Sequence, residues 1–129
     1  MNLHEMRTPM GRVRGLGSAR SGTRAFWHQR MTSVAAVPLT IAMIVILISL
    51  LGRSHAAVVQ ILGSPIVAII TVLFVLTTVY HMWIGMQEII VDYVHEDKLK
   101  LATLMANTFY AVTLGFACVF AILKLSFGV

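Results

Sequence analysis

Ionisable side chains set inside apolar sequence are where chemistry has to be sought in this chain. His81 opens the stretch HMWIGMQEIIVDYVHEDKLK, which closes a long apolar run and carries Glu88, Asp92 and Tyr93. On a helix turning about 100° per residue, Thr77, His81, Gly85, Glu88 and Asp92 fall along one face. Gly85, one turn beyond His81, leaves the open flank that a planar macrocycle would need. Neutral imidazole is a good iron ligand, and low-dielectric surroundings favour the neutral form. Two other readings of His81 stand beside that one. It could be a packing residue bonded to a neighbouring helix, with Thr77 or Thr78 fixing its ring. It could also be one station of a proton relay, with Glu88 as the next.

Asp92 and Tyr93 form the second constellation, at the far end of the same helix. A tyrosine at such a depth is commonly part of an interfacial aromatic belt. Beside an aspartate, its phenol can instead donate a hydrogen bond to a quinone carbonyl. His95, Glu96 and Asp97 read as solvated loop residues, with Asp97 or a neighbour capping the next helix. Arg30 reads as a snorkelling anchor, or as the counter-ion of a propionate or other acid.

The elements that position these residues follow from charge segregation. The 129 residues suffice for one small domain, and 58% are hydrophobic against 12% charged. No Asp, Glu, Lys or Arg occurs in Thr32–Gly52, Ser54–Gln87 or Leu101–Leu123. A bilayer core about 30 Å thick needs roughly 20 residues of helix at 1.5 Å each. The chain therefore reads as an all-α integral membrane protein with three transmembrane helices, near 31–51, 65–91 and 101–123. Short polar connections make them antiparallel neighbours in an up-down-up bundle. Pro38 is expected to kink the first span by freeing the carbonyl of Val34. His81 lies ten residues before Val91, about 15 Å along the helix and so near mid-membrane. It is the one histidine that this division places deep.

Basic residues set the orientation. Arg7, Arg12, Arg14, Arg20, Arg24 and Arg30 precede the first span, and Lys98 and Lys100 follow the second, whereas Arg53 and Lys124 lie opposite. The positive-inside rule then puts the N-terminus and the DYVHEDKLK loop in the cytoplasm and the C-terminus outside. Residues 1–29 read as a basic cytoplasmic arm anchored by Phe26 and Trp27, and residues 30–129 as the transmembrane domain. The first span is too long for a cleaved signal sequence and lacks the small-residue cleavage site.

Several chemistries are excluded. GSARSGT (Gly17–Thr23) has the glycine spacing of a phosphate loop but lacks the lysine and a preceding strand. The stretch reads as a flexible, basic loop, and the arginines of this arm suit lipid phosphates or an acidic partner face. Topology already explains the basic excess, so nucleic acid is not indicated. There is no Ser/His/Asp set, Cys/His metal cluster, dinucleotide fingerprint or internal repeat, and no C-x-x-C-H for covalent haem attachment. The sole cysteine, Cys118, lies within the third span and reads as a small packing residue.

With these residues in view, SGTRAFWHQRMTSVAAVPL followed one span later by HMWIGMQEIIVDYV resembles the hydrophobic membrane anchor subunits of succinate dehydrogenase, respiratory complex II. The H-x-x-x-G-M-x-x-x-x-x-D-Y spacing carries the resemblance, together with the Arg30 region and the three-span layout. The resemblance implies a heterotetramer with a flavoprotein subunit, an iron–sulfur subunit and a second three-helix anchor, the cytochrome b subunit. Succinate would be oxidised on the other subunits and ubiquinone reduced at the cytoplasmic surface of a bacterial inner membrane, a mitochondrial inner membrane being the other setting considered. It further implies that His81 is one axial ligand of a haem b shared with the cytochrome b subunit. Tyr93, with Asp92 as its neighbour, would bind ubiquinone, and Arg30 would meet the haem propionates. No flavin or iron–sulfur site falls to this chain. Glu88 departs from the neutral residue expected there, and is read as reaching the headgroup layer. The alternatives are the anchor of a quinol:fumarate reductase, which shares the architecture, and a small non-redox helical membrane protein.

Overall fold

The structure is a computed structural model that describes residues 20–128, with side chains from residue 23 onward. Arg7, Arg12, Arg14 and the start of the GSARSGT stretch lie outside the described residues. Four helices follow in order: α1 (Arg20–Leu50), α2 (His55–Leu62), α3 (Pro65–Tyr93) and α4 (Asp97–Phe127). Three of them, over Thr23–Leu50, Pro65–Tyr93 and Asp97–Phe127, are long and apolar enough to cross a membrane. The expected all-α, three-span architecture is what the chain adopts.

The helix ends differ from the expected ones, for identifiable reasons. α1 begins at Arg20, eleven residues before Met31, and passes through Pro38 without a break. Charge had set the expected start, but Arg, Gln and Ala are good helix formers, so charge and helix ends need not coincide. The division at residues 29 and 30 thus falls inside a continuous helix. The connection GRSHAAVVQILGSP contains the eight-residue α2, started by Ser54, whose side chain accepts from the Ala57 N–H. Pro65 sits in the first turn of α3, where its missing N–H costs nothing. At α4 the N-cap position falls on Glu96, whose side chain makes no capping bond; Asp97 acts through the helix dipole instead. Gly128, at φ 68°, ends α4 in the left-handed conformation that glycine adopts without strain.

α3 is the central element, packed along α1 on one side and α4 on the other. Polar contacts fix both registers. On α1, Thr32 meets His81 and Met43 meets Thr71, so the two helices run antiparallel. On α4, Asn107, Ala111 and Gly115 are buried at four-residue spacing. Such a small-residue stripe lets backbones approach closely where lipid removes the hydrophobic drive between helices. Gly115 sets α4 against Val79, whose Cγ1 would stand 3.6 Å from a Cβ at that position. The buried Asn107 amide donates to the Trp83 carbonyl at 3.0 Å, and the Trp83 indole N–H donates to Thr108 Oγ1 at 3.1 Å. At the opposite end, the Ser126 hydroxyl donates to the Gly63 carbonyl at 3.1 Å. A Cβ on Gly63 would come within 2.8 Å of the Leu125 carbonyl oxygen, so only glycine fits that corner.

Only 6% of each spanning helix's apolar window is buried within the chain. Phe116, Phe120, Val34 and Ile66, among many others, face outward. Faces of this kind are solvated by lipid or by other membrane helices.

Candidate functional site

His81 stands half-buried on the face of α3 that meets α1. Its Nδ1 lies 2.9 Å from Thr32 Oγ1. The partner is therefore on the neighbouring helix rather than Thr77 or Thr78 of its own. His81 Nε2 has no hydrogen-bond partner among the described residues and is not enclosed by them. Gly85 has nothing within 4 Å of where a Cβ would stand, so the flank one turn below the imidazole is open. The geometry thus has one ring nitrogen tied to α1 and the other free beside an unobstructed strip of helix.

The Thr32–His81 pair lies well inside both helices. From Thr32 back to Arg20, the first residue of α1, is twelve residues, or about 18 Å by helical rise. From His81 to Tyr93, the last residue of α3, is twelve residues, or about 18 Å. Counting from Met31 would have put Thr32 at the membrane surface and His81 at its middle. With α1 extending back to Arg20, Thr32 lies inside the helix rather than at its first turn.

The same extension brings His28 into the spanning helix, about 6 Å from Thr32 along α1 toward its N-terminus. It is therefore a second histidine within a span, although the charge boundary placed it outside. Its Nδ1 lies 3.2 Å from the Tyr80 hydroxyl, with the rings edge to face at 5.9 Å. Tyr80 in turn stacks on Trp83 at 5.7 Å. Arg24, His28, Tyr80, Trp83 and Gln87 border a groove of about 420 Å³ between α1 and α3. A second groove, about 500 Å³ and apolar, runs between α3 and α4 past Val79, Ala111 and Phe116. Neither groove includes His81. A planar ligand on Nε2 would have to be enclosed by helices of another chain.

Arg30 does not share the face of Thr32. Two residues apart is about 200° around a helix, and the Arg30 guanidinium lies over the Phe26 ring, 4.9 Å from its centroid. It is exposed, and only about 3 Å from the Thr32 level along the helix axis. Asp92 and Tyr93 end α3 and are exposed, Tyr93 to 78%. The Tyr93 carbonyl is 3.0 Å from His95 Nδ1, which closes the turn into the loop. Glu88 is exposed, on the α3 surface between the two levels. His81 and Asp92–Tyr93 are thus on one helix at separate levels, as periodicity predicts, while Arg30 belongs to a different face of a different helix.

Sequence reasoning missed the Thr32 contact, the Asn107–Trp83 bond and the His28–Tyr80–Trp83 cluster. All three join different helices. No signal in the sequence set Thr32 opposite His81, because the charge-defined start of the first span put Thr32 at the membrane surface.

Comparison with known proteins agrees with this architecture. The family described as succinate dehydrogenase/fumarate reductase transmembrane subunit matches residues 4–115. A succinate dehydrogenase hydrophobic membrane anchor subunit from Paracoccus denitrificans is 30% identical over 121 residues, covering 94% of this chain and 93% of the relative. One of the same description from Rickettsia bellii (strain RML369-C) is 25% identical over 109 residues, covering 84% and 87%. No solved structure gives a significant match. With nearly the full length matched and the three-span fold in place, the chain belongs to the succinate dehydrogenase/fumarate reductase transmembrane subunit family.

Proposed function

We propose that this chain is the membrane anchor of a succinate:ubiquinone oxidoreductase, contributing one axial ligand to haem b and part of the ubiquinone site. Its partners in this reading are a flavoprotein subunit, an iron–sulfur subunit and a cytochrome b subunit. The observation that carries the reading is the His81 geometry: Nδ1 held by Thr32, Nε2 free, and the adjacent flank open at Gly85. A histidine within a span that merely packed would not need a free nitrogen beside an open strip. The second imidazole would come from the cytochrome b subunit, whose helices would cover the exposed faces of this chain.

The donor set suits haem. A neutral imidazole with its other nitrogen hydrogen-bonded is the usual form of a histidine that binds a metal. Haem b, when bound there, supplies a one-electron store in low-dielectric surroundings. The protein's own part is to hold the His81 ring, to keep water from it through the apolar faces around it, and to offset acidic propionates. Arg30 is proposed for the last role. It is exposed at nearly the level of Thr32, and would exchange the Phe26 ring for a carboxylate.

Tyr93 and Asp92 are proposed to bind ubiquinone at the cytoplasmic rim. Reduction of ubiquinone to ubiquinol takes up two electrons and two protons, and negative charge builds on the carbonyl oxygens as electrons arrive. A phenol O–H donating to one such oxygen stabilises that charge, and a neighbouring carboxylate offers a proton route from the cytoplasm. Both side chains are exposed at the last turn of α3, open to a headgroup supplied from the bilayer. The basic residues preceding α1 and in the α3–α4 loop support an orientation with the N-terminus in the cytoplasm, and the bacterial sources of the two relatives support a bacterial inner membrane.

Deleting the chain tests the anchoring role. Succinate oxidation by an artificial flavin acceptor is expected to move from membranes to the soluble fraction. Its retention in membranes at the wild-type level would contradict the assignment.

A further inference from the structure

Thr32 is the residue that the family resemblance does not single out and that the structure sets against the proposed ligand. Its hydroxyl lies 2.9 Å from the His28 carbonyl, 3.0 Å from the Gln29 carbonyl and 2.9 Å from His81 Nδ1. A hydroxyl has one proton to give and two lone pairs to receive with. The two carbonyls can only accept, so a hydroxyl that bonds back to its own helix gives its proton to them. The remaining contact then has His81 Nδ1–H donating to Thr32 Oγ1.

We propose that Thr32 is a positioning residue for His81: by accepting from Nδ1–H, it leaves the lone pair on Nε2 and fixes the ring plane for axial ligation. This rests on the reading of His81 as a haem ligand. The opposite arrangement, with Thr32 donating to Nδ1, would put a proton on Nε2. That N–H has no acceptor among the described residues, an expensive outcome in hydrocarbon. It would also leave His81 without a lone pair on the nitrogen that has no partner within the described chain. The same bond orients the ring, since Thr32 has a β-branched side chain whose rotamers are few and whose hydroxyl is already tied to the backbone. Hydrogen bonding at the distal nitrogen raises the basicity of a metal-bound imidazole, which favours the oxidised metal.

The test uses the intact complex in membranes, comparing wild type with Thr32→Val, Thr32→Ser and His81→Ala. Haem per flavin, the reduction potential of haem b and its low-spin ferric EPR signal are the readouts. For Thr32→Val, which keeps the shape and loses the acceptor, a more positive potential and a broadened or shifted EPR signal are expected. Loss of haem from this variant alone would equally support the positioning role, and Thr32→Ser should restore wild-type values in either case. Unchanged potential and EPR signal in Thr32→Val would overturn the inference. Equal loss of haem from the Val and Ser variants would also overturn it, because the methyl group rather than the hydroxyl would then matter. The His81→Ala arm separates the two layers: full haem in that variant would remove the ligand reading itself.

Discussion

Asn107 of α4 donates its side-chain amide to the backbone carbonyl of Trp83 in α3, at 3.0 Å, and is the buried polar residue of the described chain. Two residues before Trp83, on the other side of α3, His81 meets α1. The α4 contact thus bears on the same short segment of α3 that presents the proposed ligand. Truncating it should be felt as lost stability, with the ligand itself untouched.

For Asn107→Leu, the expected cost is about 1 kcal/mol, the range for interhelical hydrogen bonds in lipid. It is read as a lowered thermal midpoint of the detergent-solubilised complex. Haem content per assembled complex should remain near wild type. An unchanged midpoint would mean that the Asn107–Trp83 bond contributes nothing to the α3–α4 contact.

Gly85 supplies a test that the chain's own packing cannot confuse. A side chain there meets nothing within 4 Å inside this chain, so Gly85→Leu is expected to leave its helices undisturbed. If the open flank is where haem lies, that variant should assemble with strongly reduced haem per flavin. Full haem occupancy in Gly85→Leu would mean that the flank faces something else.

At the rim of α3, Tyr93→Phe removes one hydroxyl from a residue that is 78% exposed, so no cost to folding is expected. Ubiquinone reduction by succinate should fall by about tenfold or more, as for a single lost transition-state donor of charge stabilisation. Oxidation of succinate by an artificial flavin acceptor should stay intact. Loss of both activities would point to assembly, and retention of both would remove Tyr93 from the quinone site.

What was legible in the sequence lies mainly within single helices. His81, Gly85 and Asp92 could be placed on one face, and Tyr93 at the level of Asp92, because they share α3, where the period of the helix fixes their relation. The spans themselves were legible because long uncharged runs have few other uses. The start of α1 was not, because charge marks where a membrane surface is expected and carries little information on where a helix begins. Arg24, His28 and Arg30 continue the helix well before the uncharged run starts at Thr32. Contacts between helices were also hidden. Thr32 reads as an ordinary polar residue until α1 is laid antiparallel to α3, and Asn107 until the small-residue stripe of α4 is turned toward Trp83. The short α2 escaped because eight mostly apolar residues between a glycine and a proline read equally as a loop.

Glu88 sits on the same helix, exposed between the proposed haem and quinone levels. Its proposed role is to reach the headgroup layer through its own side chain, which its exposure allows. The relay reading of His81 and Glu88 gains no support from contacts, since the imidazole is tied to Thr32 in the other direction.

Haem ligation by His81 is the central proposal, and the readings of Thr32, Gly85 and Arg30 rest on it. Reduced-minus-oxidised spectra of membranes containing the complex test it, wild type against His81→Ala, at matched flavin content. The haem b difference band is expected to be lost or strongly diminished in the variant while the flavoprotein remains membrane-bound. An equal haem b band in the two preparations would contradict ligation by His81.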